Sequence, residues 1–127
     1  MLNKNKVVYI AHPISGDVKG NIDKILRIIR EINITEPYII PIAPYVVDCL
    51  ALDDDILWER EKGIKNNKEL LKLKFVDQLW LFGDRISVGM EAEIILFYEL
   101  GLLKCIIPKS DSISNKDIHK VILDYYL

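Results

Sequence analysis

Cysteine is almost missing from this chain: Cys49 and Cys105 are the only two in 127 residues. They are too few and too far apart for a metal knuckle or a redox CxxC pair. Both sit in apolar surroundings and read as buried small hydrophobes. Unpaired thiols fit the reducing cytosol. Histidine is equally scarce, and His12 and His119 do not cluster with the cysteines. No hydrophobic run approaches the length of a membrane span. The apolar stretch Val7 to Ala11, behind Lys4 and Lys6, is also too short for a signal peptide. The expectation is a soluble, cytoplasmic protein. No Lys/Arg stripe interleaves with aromatics, and the formal net charge is -2. That argues against a nucleic-acid polymer as ligand, because affinity for one comes from neutralising many phosphates. A small anion held by a few local donors stays open. There is no internal repeat, linker or low-complexity segment.

What is present is apolar. Half of the residues are hydrophobic, enough for a real core, and the length fits a single domain over residues 1–127. Val7 to Ala11 is a β-branched and aromatic run that predicts a buried strand. It breaks at the turn-rich loop His12 to Asp17. From Asn21, a candidate cap, apolar residues Ile22, Ile25, Leu26, Ile29 and Ile32 recur at helical spacing until Pro37. Tyr38 to Ala43 predicts a second strand, placed at an edge because Pro41 has no amide donor. Pro44 opens a loop or short helix through Leu50. Asp53, Asp54 and Asp55 predict the start of a helix near Ile56, with a pause at Gly63 and a further helix capped by Asn66. Phe75 to Phe82 predicts a third strand, residues 88–100 a helix stopped by Gly101, Leu103 to Ile107 a fourth strand, and Asp117 to Tyr126 a last amphipathic helix.

Strands alternating with helices predict an α/β fold with a mostly parallel sheet of four or five strands and helices on both faces. With the first strand central, the order is near 2-1-3-4, a flavodoxin-like or Rossmann-like sheet. The first and third strands then flank the switch point, and ligands bind beyond the carboxyl ends of such strands. The loops His12–Asp17 and Gly83–Gly89 are therefore expected to converge on one crevice. Glu93 follows less than two turns into the next helix and shares a face with Gly89, which leaves an open patch beside it. Glu91 points roughly 200° away at ~100° per residue and reads as surface charge. Glu93 is a candidate nucleophile or acid/base, set against a solvated charge or a salt bridge. Ser87 can cap that helix and also hold an anion or hydroxyl with its neighbours' amides. Tyr9 shares a strand face with Ala11 and reads either as core or as a crevice residue. Asp17 reads either as a hydroxyl ligand or as a turn residue. Asp77 is expected near the start of its strand, away from the chemistry.

Several of these segments together resemble a known family. They are Tyr9 to Asp17, Asn21, Pro41 to Tyr45, Asp77 to Gly83 and Ser87 to Glu93. They resemble the nucleoside 2-deoxyribosyltransferase-like superfamily, in particular a branch of small phage and bacterial proteins, over Val7 to Pro108. The resemblance implies Glu93 as nucleophile, Tyr9 orienting it, and an acid near Glu69 after Asn66-Asn67. It implies a sugar or phosphate contact from Ser87; further substrate contacts are expected, from the strand-end loops and helix starts, at His12, Pro13, Ser15, Gly16, Asp17, Asn66 and Gly89. Ser87 is similar to the residue found in deoxynucleoside monophosphate N-glycosidases, where transferases tend to have Asp. Glu69 stands where the family has Asp. The implied reaction is attack of Glu93 on C1′ of a 2-deoxynucleoside or its 5′-monophosphate, with the base leaving and water or a second base resolving the ester. No metal or redox cofactor is required. The resemblance also implies a homo-oligomer, with Trp58, Tyr125 and Tyr126 as candidate contacts. Two other readings are a non-catalytic nucleotide sensor or sponge on the same crevice, and a flavodoxin-like interaction module.

Overall fold

The computed structural model describes residues 4–127. Four parallel strands form one sheet in the order β2-β1-β3-β4. They are β1 (Lys6–Ala11), β2 (Ile39–Ile42), β3 (Gln78–Leu81) and β4 (Ile106–Pro108). The helices are α1 (Val18–Thr35), α2 (Pro44–Ala51), α3 (Leu57–Lys72), α4 (Val88–Glu99) and α5 (Asn115–Tyr126). This is the predicted α/β architecture, with β1 and β3 paired at the centre and β2 at an edge.

Strand alternation divides the core. Tyr9, Ala11, Leu79 and Leu81 face one way and pack with Met90, Ile94 and Phe97 of α4 and with Ile118 and Ile122 of α5. Val8, Ile10 and Trp80 face the other way, against Ile32, Ile28 and Ile29 of α1. Burying an apolar side chain of this size contributes about 1.5–3 kcal/mol, so each face holds its helix firmly. Helix α4 is apolar on nearly every side because sheet, α5 and α3 all touch it. Gly101, at φ 79, ends it in the left-handed conformation. There the Leu102 amide donates to the Phe97 carbonyl and Gly101 to Tyr98, the paired bonds of a Schellman stop.

Four local expectations need correction. Helix α1 begins at Val18, capped by Asp17, whose carboxylate accepts from the Gly20 amide at 3.1 Å. Asn21 lies inside the helix, where its side-chain amide donates to the Ile14 carbonyl at 2.9 Å. The expected pause at Gly63 and cap at Asn66 do not exist, because α3 is continuous. Gly63 packs closely against α2 and the turn after it: a Cβ there would stand 3.3 Å from Leu52 Cδ1. The fourth strand is shorter than predicted. Leu103–Cys105 is one 3-10 turn, and pairing starts at Ile106. The third strand likewise pairs only from Gln78. Asp77 sits just before it, as expected, and its carboxylate accepts the Val7 amide at 2.8 Å.

Candidate active site

The chemistry-bearing residues gather where the carboxyl ends of β1 and β3 meet α4. His12 and Glu93 are the two buried polar side chains among the described residues. Each is held there by a specific element. Glu93 lies on α4 between Met90 and Ile94, both fully buried, so the helix register carries its carboxyl into the core. No salt bridge among the described residues involves it. Its neighbours are Tyr9 from β1 and Asn67 from α3. Asn67 Nδ2 donates to the Tyr9 hydroxyl at 2.7 Å, which leaves the phenol's own proton to face the carboxylate. Burial pushes the Glu93 carboxyl up to about 7, while Tyr9 and Asn67 pull it back toward the usual carboxylate range. Tyr9 is raised well above an ordinary phenol, first by burial and then by the negative charge of Glu93.

Tyr45, one residue into α2, completes this end. Its hydroxyl donates to the Ile10 carbonyl at 2.6 Å, and its ring centre lies 5.7 Å from that of Tyr9. Burial and then Glu93 hold its phenol well above the ordinary value, against the His12 backbone, which lowers it. Tyr45 therefore links the first-strand loop to the buried carboxyl. Asn67 Oδ1 is the exception to this polar pairing: it is a buried acceptor with no donor among the described residues.

The loops after β1 and β3 do converge. They bound a hollow of about 320 Å³, with His12, Ser15, Gly16 and Asp17 on one wall and Gly83, Asp84 and Arg85 on the other. Asn21 and Lys24 of α1 close its side. The Gly83 turn is shaped for this approach. Its φ is 99, and a Cβ would lie 2.6 Å from Pro13 Cδ, so no other residue fits without displacing the Pro13 ring. Ser110 Oγ donates to the Gly83 carbonyl at 2.7 Å and pins the turn from below. Pro13 is fully buried. Glu93, Tyr9, Ser87 and Gly89 are not part of this wall. A second hollow, about 360 Å³, lies at the opposite, amino end of the sheet between Lys6, Lys74 and Gln78.

Ser87 caps α4, its Oγ accepting from the Met90 amide at 3.3 Å. Gly89 is exposed with open space where a Cβ would be, which fits the unobstructed patch read from the sequence. Glu69 and Asn66 are not brought to the site. Glu69 is on the solvent side of α3, paired with Lys72 at 3.4 Å, and Asn66 is exposed. The reason is helical register. Gly63, Asn67 and Leu71 recur at spacing four on the inward face, and Leu71 is the helix's buried apolar residue. Glu69 lies two positions from Asn67, on the other side. Counting back four from Leu71 would have found Asn67. Lys24 and Arg85 carry no comparable signal, and Tyr45 is marked only as the end of the Pro41 to Tyr45 segment. The aspartates before α3 make an ordinary turn, with Asp53 Oδ1 accepting the Asp55 amide at 2.9 Å.

Fold and site define a parallel α/β protein with a buried carboxyl that has no ion pair among the described residues, set beside a phenol and an amide, next to an open crevice at the switch point. The chain belongs to the family described as domain of unknown function (DUF7768), whose profile matches residues 6–103. That span includes β1 through α4 and every site residue named above except Ser110. No curated protein and no solved structure gives a significant match. Among the described residues, no helix is long and apolar enough to cross a membrane.

Proposed function

We propose that this protein cleaves the N-glycosidic bond of a 2-deoxynucleoside or its 5′-monophosphate, with Glu93 as nucleophile. The observation that carries the reading is the Glu93 carboxyl itself: buried, without an ion pair among the described residues, and faced by Tyr9 and Asn67. A purely structural acid in such a place is costly, and a group held near neutrality serves both nucleophilic and proton-transfer steps. The Tyr9 hydroxyl and Asn67 amide orient the carboxylate for attack on C1′. Asn67 Oδ1, lacking a donor among the described residues, suits a substrate hydroxyl. Ser87 and the α4 amides beside exposed Gly89 suit a 5′-hydroxyl or phosphate. Hydrolysis and transfer differ only in whether water or a second base resolves the glycosyl ester.

One observation favours a second reading. The expected acid, Glu69, is outside the site, so a non-catalytic nucleotide sensor or sponge uses the same crevice without needing it. The discriminating experiment mixes the protein with each deoxynucleoside and deoxynucleoside monophosphate and follows free base by chromatography. Base release that disappears in Glu93→Ala supports the enzyme. Thermal stabilisation by nucleotides without turnover supports the binder.

The reading extends to assembly. Trp58, Tyr125 and Tyr126 are 68%, 62% and 51% exposed, and Leu57 of α3 adds apolar surface beside Trp58, which supports a homo-oligomer. Light scattering in solution tests it; a monomer at all concentrations overturns it.

A further inference from the structure

The geometry points to His12 as the group that protonates the departing base and then activates the resolving water. This assignment rests on the glycosidase reading above and supplies the acid that Glu69 does not.

His12 is buried, yet it forms part of the wall of the hollow at the switch point. Its Nδ1 lies 2.7 Å from the Pro13 carbonyl. A carbonyl only accepts, so Nδ1 carries a proton in both the neutral and the cationic ring. One ring nitrogen is thereby engaged, and Nε2 is the nitrogen left to meet a ligand in the hollow. Nε2 has no partner among the described residues. The ring's orientation is fixed as well. Pro13 is fully buried, and Gly83 holds its turn close to the Pro13 ring and His12 Cδ2. Charged groups around the hollow come from both sides: Asp17 and Lys24 from α1 and its cap, Asp84 and Arg85 from the loop before α4. Arg85 is partly neutralised by Asp84 at 2.9 Å. Tyr45 adds a phenol at the His12 backbone.

In the first step the C1′–N bond breaks and its electron pair goes to the base. Glu93 forms the C1′–O ester bond, and the Nε2 proton of the imidazolium moves to the base, which leaves neutral. In the second step a water oxygen attacks C1′ and gives its proton to Nε2. The C1′–O ester bond breaks, and Glu93 leaves as the carboxylate. The ring returns to the imidazolium, and no other reactant is consumed.

The test compares an ordinary 2-deoxynucleoside with deoxyguanosine methylated at N7, whose base departs without needing a proton. His12→Asn keeps an amide donor for the Pro13 carbonyl, and His12→Gln is the second variant. Thermal melting of each separates misfolding from lost chemistry. The expected result is a kcat/KM loss of about 100-fold or more on the ordinary substrate, because kcat/KM reports departure of the base and not the later water step. Loss on the methylated substrate stays within about 3-fold, and the limb of the pH profile that requires a protonated group disappears. Equal losses on both substrates in a folded variant, or an unchanged pH profile, overturn the assignment while leaving Glu93 chemistry standing. Absence of base release from both substrates by the native protein overturns the glycosidase reading, and the His12 assignment with it.

Discussion

Asn67 and Tyr9 stand 58 positions apart in the sequence and meet at 2.7 Å beside one carboxyl group. The bond brings together α3 and the central strand. It also aims two polar groups at Glu93, whose ionised form they favour. Replacing Asn67 by Leu removes that amide while keeping apolar bulk. The expected outcome is a Glu93 pKa further above 7, read by NMR titration of carboxyl-labelled glutamate. An unchanged or lowered value would mean that Asn67 does not act on the carboxylate.

Glu93 makes stability depend on pH in a definite direction. Its folded-state pKa, about 7, is raised above the ordinary carboxyl value of 4.5. The protonated form is therefore favoured by folding. The contribution is complete below pH 4.5 and is lost as pH rises through 7, a difference of about 3 kcal/mol. Urea unfolding of the native protein and of Glu93→Gln at pH 5 and pH 8 isolates it. The gap between the two proteins moves toward the Gln variant at the higher pH. A gap that stays constant rules out the buried titration.

The turn that narrows the hollow allows a third prediction. Gly83→Ala adds a methyl 2.6 Å from Pro13 Cδ at a left-handed backbone position. The expected cost is about 1–3 kcal/mol, measured as a fall in unfolding free energy. A variant as stable as the native chain would show that the loop and the Pro13 ring yield freely.

Glu69 provides the contrasting case. Its side chain is 57% exposed and its partner Lys72 is 46% exposed. Exposed pairs of this kind contribute little, about 0.2–1 kcal/mol. Glu69→Gln is expected to leave base release unaltered and stability within ~0.5 kcal/mol. A large loss of base release would return Glu69 to the chemistry.

Strand order and the division of β1 into two faces were legible because period-two alternation and turn residues are local signals with global meaning. Tyr9 with Ala11 and Val8 with Ile10 sort as the pleat requires. The buried position of Glu93 was legible from its apolar neighbours. Helix α3 misled for the opposite reason. Gly63 and Asn66 are local signals of a break, but packing against Leu52 and Asp48 overrides them. In the continuous helix Asn67 falls on the inward face, and Glu69, which the family resemblance implies as the acid, falls on the outer one. The apolar run Leu102 to Ile107 did not distinguish a 3-10 turn from a strand. Tyr45, Lys24 and Arg85 reach the site through long-range folding, which no sequence spacing encodes.

The outermost strand has a consequence for how copies of this protein meet. In β2 the residues facing β1 alternate from Tyr38, whose carbonyl accepts the Lys6 amide, so Ile39 and Pro41 turn their backbone outward. Proline has no hydrogen to offer, and the Ile39 amide is already spent on the Glu36 carbonyl at 3.3 Å. A foreign strand laid along this margin finds no donor on β2 to start a ladder. Pairing along that border rests on the outward carbonyls alone and is weakened from its first hydrogen bonds.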